Sequence, residues 1–363
     1  MKNYISVLIS LFLISQITYA ESDSTAVVPE KNLTISGYVD AYYSYNLNNP
    51  ENASNFGETG VGRIFDGYHN QIALGLAQLK LDFAKGKTNV VADLVFGPNG
   101  ELANFGNTGT GLLIKQAYVS YKIADKLTVT AGQYGTHIGY ELVDAPDNFH
   151  YSLSYLFGNG PFYHTGVKLD YAISDKISVM AGVVNGWDAI FDNNNAKSIT
   201  AQLGFTPNDD FYAYVNWIGG NEVAKEDIAP GVSAYKNMFD LTTGYTLSEK
   251  FSIGINGAFG FNKIDDVHSN WGGAALYLQY NIVEQFALGI RGEYFDDTEG
   301  SQYLGSSYTG LTFTASYTSP SGAFTVKPEV RYDGASHNIY YSGENNSLES
   351  SQTTLGIAVI GKF

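Results

Sequence analysis

Apolar and polar side chains alternate with a period of two along most of the chain. In Lys126 to Thr136, KLTVTAGQYGT, Leu127, Val129 and Ala131 share one parity while Thr128 and Thr130 take the other. Phe324, Val326, Val330 and Tyr332 alternate with Thr325, Lys327, Glu329 and Arg331. Leu311, Phe313, Ala315 and Tyr317 alternate with Thr312, Thr314 and Ser316, and Ala77, Leu79, Leu81 and Phe83 with Gln78, Lys80 and Asp82. Such a period predicts strands with one apolar face and one polar face, because successive side chains of a strand point to opposite sides.

Short polar connections recur between these segments. ADKLTVTAG at Ala124 to Gly132, SDKISVMAG at Ser174 to Gly182, SEKFSIGIN at Ser248 to Asn256 and VEQFALGIR at Val283 to Arg291 each carry a hairpin turn into the next alternating strand. The opposite connections are long and rich in Gly, Asn and Asp: Asn46 to Asn70, Gly139 to Gly160 and Gly219 to Tyr235. Strands are expected to start near Leu33, Ile72, Thr88, Leu112, Lys126, Phe162, Lys176, Ser198, Phe211, Asn237, Phe251, Trp271, Glu284, Leu304, Ala323 and Gln352. The count is about sixteen; roughly 14 to 18 is compatible, because the boundaries near Trp271 and Leu304 are soft.

Period two does not say which face is inside. A soluble sandwich would turn its apolar parity inward. Three features favour lipid outside. Tyrosines gather toward strand ends, at Tyr42, Tyr43, Tyr45, Tyr118, Tyr121, Tyr277, Tyr280, Tyr294 and Tyr317, as an interfacial girdle would require. The last strand places Leu355, Ile357, Val359 and Phe363 on one parity and ends on the aromatic, resembling the terminal signal read by the outer-membrane barrel assembly machinery. Short turns at one end and long loops at the other suit two different compartments. Hydrocarbon tolerates no open strand edge, so the sheet must close. The expectation is all-β: a single closed antiparallel transmembrane β-barrel with short periplasmic turns and long extracellular loops.

Composition agrees. Gly 40, Tyr 28 and Phe 21 are abundant while Pro 9 and Met 3 are sparse. The absence of cysteine excludes a disulfide framework and thiolate metal sites. Lys2, the apolar stretch Val7 to Ile17, and short side chains at Thr18 and Ala20 read as a secretory signal peptide spanning residues 1–20. Residues 21–32 form a short periplasmic segment and 33–363 the barrel; about a dozen residues leave no room for the plug of a TonB-dependent transporter. After the signal no run approaches the ~18–20 apolar residues of a helical span. The net charge of -16 argues against nucleic acid as a partner.

The stretch TAGQYGTHIGYELVDAPDNFHYSLSYLFGNGPFYHTGVKLDY, Thr130 to Tyr171, is similar to the corresponding region of the OmpL-like putative β-barrel porin-2 family of bacterial outer-membrane proteins. The resemblance runs from LTISGYVDAYYSY at Leu33 to the final strand; Gly139-Tyr140-Glu141, Asp144 to Asn148 and Tyr155 to Gly166 are its most specific pieces. It implies a porin-like barrel in a Gram-negative outer membrane and names no substrate.

With lipid outside, the charged parity lines a wet bore. The expected pore-lining residues are Asp40, Lys80, Asp82, Asp93, Lys168, Asp170, Arg291, Glu293, Lys327, Glu329 and Arg331. Opposite charges two residues apart, as at Lys327/Glu329/Arg331, either organise a transverse field or are ordinary solvated wall charges. The Gly139 to Gly160 loop either folds inward as a constriction bearing Glu141, Asp144 and Asp147, or extends a strand above the membrane through Tyr151, Leu153 and Tyr155. Loop acids including Asp192, Glu222, Glu226, Asp227, Asp296 and Asp297 predict an acidic mouth and weak cation preference.

No HExxH, GxSxG or P-loop pattern is present, so no catalytic residue, metal ligand or cofactor is assigned. The function expected is passive diffusion of small polar solutes or ions. The rivals are a surface adhesion or structural barrel without an open pore, and an outer-membrane enzyme. Expected partners are outer-membrane lipid, the assembly machinery at Phe363, and the solute; alternating strands do not decide whether barrels form a homotrimer.

Overall fold

A computed structural model describes residues 32–363 apart from 59, 61, 62, 225–231, 233, 344 and 346. The proposed signal peptide lies outside the described residues. The elements are β1 (Asn32–Asn46), β2 (Gln71–Lys85), β3 (Thr88–Phe96), α1 (Pro98–Ala103), β4 (Ile114–Ala124), β5 (Leu127–Gly135), α2 (Tyr155–Gly158), β6 (Tyr163–Ala172), β7 (Ile177–Val184), β8 (Ser198–Asn208) and β9 (Phe211–Gly220). There follow β10 (Ala234–Thr246), β11 (Phe251–Ile264), β12 (Val267–Val283), β13 (Phe286–Asp296), β14 (Ser307–Thr318), β15 (Phe324–Ala335), the small hairpin β16 (Tyr340–Ser342) and β17 (Ser347–Glu349), and β18 (Ser351–Lys362).

Each strand pairs antiparallel with its neighbour in sequence, and β18 closes onto both β15 and β1, leaving sixteen strands in one closed barrel. The seam pairs Tyr38 with Lys362 and continues through reciprocal bonds between Gly37 and Phe363, of 3.2 and 3.0 Å. A side chain at Gly37 would collide with the backbone of Gln78 and press on the Phe363 ring, so this position needs glycine. Closure removes the unpaired edge that hydrocarbon would not solvate.

The apolar parity faces out. Leu203, Val215, Phe313 and Val330 are exposed by 50, 51, 47 and 43 %, whereas Glu329 and Arg331 on the alternate positions of β15 are buried. Such a belt of exposed apolar side chains around a closed sheet fits hydrocarbon, not water. Among the described residues no helix is long and apolar enough to cross a membrane; the strands make the crossing. Tyr121, Tyr171, Tyr245, Tyr280 and Tyr317 stand exposed near the turn end of their strands, as an aromatic girdle. Tyr42 and Tyr277 do not join it: their parity turns them into the lumen, where both are buried, and Tyr118 likewise packs inward.

At one end the connections are 86–87, 125–126, 173–176, 209–210, 247–250, 284–285 and 319–323; at the other they run as long as 47–70 and 136–162. The exception at the long-loop end is 265–266, where β11 and β12 extend into a two-residue link with Asp265 at φ 55. Five strand pairs carry a register shift, and two of these shifts turn a side chain into the lumen. Between Val39 and Ala41 of β1, the partner strand β2 has an extra residue, and Leu76 turns inward with its amide donating to the Asp40 carboxylate at 2.9 Å. In β4 the pairing shifts between Gln116 and Ile114, and Lys115 turns inward against the outward parity of Ala117 and Val119.

Candidate functional site

The 136–162 connection folds into the barrel. Its backbone is bent locally by its own residues: Gly139 at φ 93 and Pro146 interrupt extended structure. The Asn148 side chain bonds both backbone groups of Leu142, accepting at 2.9 Å and donating at 2.6 Å, and so ties off a compact lobe. Ser154 caps the single turn of α2 by accepting from the Phe157 amide at 3.1 Å. The far end is anchored to the 185–197 loop by Asp188, whose carboxylate accepts from the amides of Phe162 and Tyr163 at 2.6 and 3.1 Å. Burial pushes the Asp188 carboxyl up to about 7, against the opposing pull of those two amides.

A loop without its own ladder leaves backbone groups that must find partners once buried. The inward charges of β13 and β15 supply them. Glu329 accepts from the amides of Tyr151 and Ser152 at 3.0 and 3.2 Å, and Glu293 from the amide of Tyr155 at 2.6 Å. Lys327 donates to the carbonyl of Ala145 at 2.8 Å, Arg291 to that of Ser152 at 2.5 Å, and Arg331 to that of Leu153 at 2.6 Å. The charges also compensate one another. Arg291 pairs with Glu141 at 2.7 Å and Glu293 at 3.1 Å, Arg331 with Asp333 at 2.7 Å, and Arg63 with Asp333 at 3.0 Å and with Asp66.

On other walls Tyr151 Oη donates to Asp40 at 2.5 Å, Gln78 to Asp144 at 2.8 Å, and Lys115 pairs with Asp144 and with Asp93 at 3.4 Å. Gln202 donates to the His137 carbonyl at 3.3 Å and the Gly139 amide to Asp240 at 3.2 Å. Two wall glycines make room for loop aromatics: a Cβ on Gly254 would fall 2.2 Å from Tyr140, and one on Gly289 would fall 2.1 Å from Phe149. Above these contacts an apolar cluster includes Tyr155, Leu156, Trp271, Phe295 and Tyr308. The loop therefore spans the bore from wall to wall.

Of the residues expected to line a pore, Asp40, Asp93, Arg291, Glu293, Lys327, Glu329 and Arg331 are buried, all but Asp93 bonded directly to the loop. Asp93 reaches it through Lys115. Lys80, Asp82, Lys168 and Asp170 stay half-buried on the wall; Lys168 and Asp170 pair at 3.2 Å. Glu141 is spent on Arg291 and Asp144 on Lys115, whereas Asp147 turns to the underside of the loop. Tyr151, Leu153 and Tyr155 extend no strand; Tyr155 begins α2 and the other two are buried in the lumen. Glu226 and Asp227 lie outside the described residues.

Beneath the loop, at the turn end, lies a vestibule open to solvent whose wall carries Glu141, Asp147, Asp209, Asp210 and Glu249 and, among the described residues, no lysine or arginine. Arg63, Lys115 and Asp333 escape sequence reasoning. Asp333 continues the inward parity of Lys327, Glu329 and Arg331 and was within reach of the pattern, whereas Lys115 is hidden by its bulge and Arg63 by its loop.

The family model described as "Putative beta-barrel porin-2, OmpL-like" matches residues 32–363. No curated protein matches the sequence. Among solved structures, outer-membrane expressed OmpT of Vibrio cholerae is 13% identical, with 93% of this chain and 100% of that chain covered and a TM-score of 0.60. The anion-selective porin from Comamonas acidovorans is 12% identical over 92% of this chain and 100% of that one, with a TM-score of 0.61. The outer membrane channel DcaP of Acinetobacter baumannii is 11% identical over 92% and 97%, with a TM-score of 0.55. At these identities the likeness concerns the fold.

Proposed function

The chain belongs to the OmpL-like putative beta-barrel porin-2 family and is a porin-like channel of the bacterial outer membrane, and from that premise we propose that it passes small polar solutes or ions by passive diffusion with a weak preference for cations. The observation that carries the preference is the vestibule under the loop, where Asp147, Asp209, Asp210 and Glu249 stand on the wall beside Glu141, which Arg291 neutralises, and no lysine or arginine is among the described lining residues. Carboxylates grouped on a concave wall raise the local concentration of cations. The short turns face the periplasm and the long loops the exterior, so solute leaving the loop constriction enters this vestibule last.

The wall charges Asp40, Asp93, Arg291, Glu293, Lys327, Glu329 and Arg331 act by holding the loop that narrows the path, and Lys80, Asp82, Lys168 and Asp170 face the remaining lumen. No catalytic step is assigned to any of them. One solved structure is described as a trimer form of OmpT, and a homotrimer of this barrel is proposed on that likeness. Planar-bilayer recordings across a KCl gradient test the channel: the reversal potential takes the sign of cation preference and moves toward zero in the Asp209→Asn, Asp210→Asn double variant. A reversal potential of anion sign overturns the preference.

A second reading rests on the loop itself, which is bonded to β1, β2, β4, β8, β10 and the β13 to β15 wall. A barrel sealed by that loop serves as a structural or adhesive surface protein and gives no current in the same recordings.

A further inference from the structure

We propose that His137 and His164 form an acid-sensitive latch at the neck of the 136–162 loop, releasing the constriction when the rings take protons; this adds regulation to the channel reading and rests on it only for the current. Position is the first argument. The rung that joins the two ends of the loop runs from the Thr136 amide to the Phe162 carbonyl at 3.1 Å. His137 adjoins one end of that rung and His164 lies just beyond the other, with 5.5 Å between their ring centres. His164 is 0 % exposed, whereas His137 is only half-buried, so protons reach the pair through His137.

Hydrogen bonding is the second argument. The Gly186 carbonyl can only accept, so its 3.2 Å contact with His164 Nδ1 places the proton of a neutral ring there. Nε2 then accepts from the Thr136 hydroxyl at 3.0 Å, while the same oxygen accepts from the Ile138 amide at 3.1 Å, the tautomer being assigned from these partners. The neutral ring thus ties the first residues of the loop to β6. A proton on Nε2 turns that acceptor into a donor, and the Thr136 hydroxyl loses the partner of its own hydrogen.

Charge is the third. His164 faces His137 and, at 6.5 Å between ring centres, Tyr134 of β5. His137 meets His164 and Lys168 of β6, the Trp217 carbonyl of β9 at 3.4 Å and the Ala201 carbonyl of β8. The carboxylates of the flanking elements are committed elsewhere: Asp170 to Lys168, Asp240 to Asn216 and Asn256, Glu222 to Ser198 and the Trp187 amide, and Asp188 to the amides of Phe162 and Tyr163. Burial first, then His164 and Lys168, push the His137 ring well below the ordinary histidine value, against the pull of the two carbonyls. An unseated neck hydrates the rings and binds more protons. The seated loop is therefore favoured above about pH 6.5 and loses ground below it, by up to about tenfold per pH unit for each proton taken. Asp188 titrates in the opposite sense, so its anchor does not account for release in acid.

Hydrogen exchange across residues 136–164 of the full chain in detergent micelles, corrected for the intrinsic pH dependence of exchange, tests the latch beside single-channel recordings in planar bilayers. Between about pH 7.5 and 5, protection of the neck should fall by about tenfold or more and conductance should rise. Both responses should vanish in the His137→Gln, His164→Gln double variant, whose amides keep a donor and an acceptor but take no proton. Lys168→Gln, on the open wall, removes one positive charge from the seated neck and should make the acid response smaller without abolishing it; this gives a second reading if the double variant does not fold. Acid-insensitive protection in the parent, or an equal response in the parent and these variants, overturns the latch. A barrel whose neck loosens in acid yet passes no current at any pH overturns the channel and leaves the latch standing; current that does not change with pH, with constant protection, overturns the latch alone.

Discussion

At the residue scale, Arg291 shows why charge inside this barrel is structural. It is 0 % exposed and meets Glu141, Glu293, the Ser152 carbonyl and Thr312 at once. Arg291→Ala would leave the buried Glu141 without its counter-charge and Glu293 with Arg331 alone, at 3.8 Å, a loss of about 3–5 kcal/mol by analogy with other broken buried pairs; denaturant unfolding of the barrel in lipid vesicles reads it. Asp188 makes the opposite point at the rim. Its carboxyl is pushed up to about 7 by burial. The folded state therefore holds a proton that the unfolded chain has released, and the Asp188 contribution weakens as pH climbs from the ordinary carboxylate range through about 7. Above that, the amides of Phe162 and Tyr163 should exchange hydrogen faster than base catalysis alone explains, and Asp188→Asn should abolish the excess. Sequence showed that Glu329 and Arg331 lie on the face opposite the greasy side chains. It did not show their partners, because Ser152 and Leu153 bond through backbone atoms that no side-chain pattern reports.

At the element scale, the alternating pattern located every barrel strand to within a few residues: Thr88, Ser198, Phe211 and Phe251 are the first residues of β3, β8, β9 and β11. The larger departures at Asn237 and Trp271 come from strands that run beyond the apolar belt, where a Tyr-Lys or His-Ser pair carries no alternation, and Leu304 falls in the connection before β14, which starts at Ser307. Bulges were also invisible, since one extra residue in β2 or β4 changes the side a residue faces without changing composition. The loop path was left open because its determinants are distant: the recess at Gly289 receives Phe149 only when β13 stands beside it. Filling that recess tests the docking. Gly289→Leu should expel Phe149, quicken hydrogen exchange across 140–150 and raise single-channel conductance, while the outward neighbours of Gly289 keep their lipid contacts. Unchanged exchange and conductance would mean that the ring is not what seats the loop.

At the scale of the whole molecule, the direction of the apolar side chains decides every other statement, and it can be tested by depth. Phe313 sits near the middle of β14, in register with Ile290 of β13 and Val330 of β15, all three facing outward. Tyr317 lies on the same face, near the turn end of β14, and is 45 % exposed. A guanidinium at mid-height must reach water across hydrocarbon, whereas one at the rim meets headgroups. Arginine on a lipid face costs about 2–4 kcal/mol at the midplane and falls to ~0–1 near the interface. Phe313→Arg should therefore destabilise the barrel in vesicles several-fold more than Tyr317→Arg, and the gap should shrink in detergent micelles, which close around the charge. A water-facing exterior would make both substitutions nearly neutral, and a dry apolar interior would make the Phe313 change equally damaging in micelles and vesicles. Graded loss in lipid with a smaller gradient in micelles is the outcome that only a membrane-embedded outer face produces.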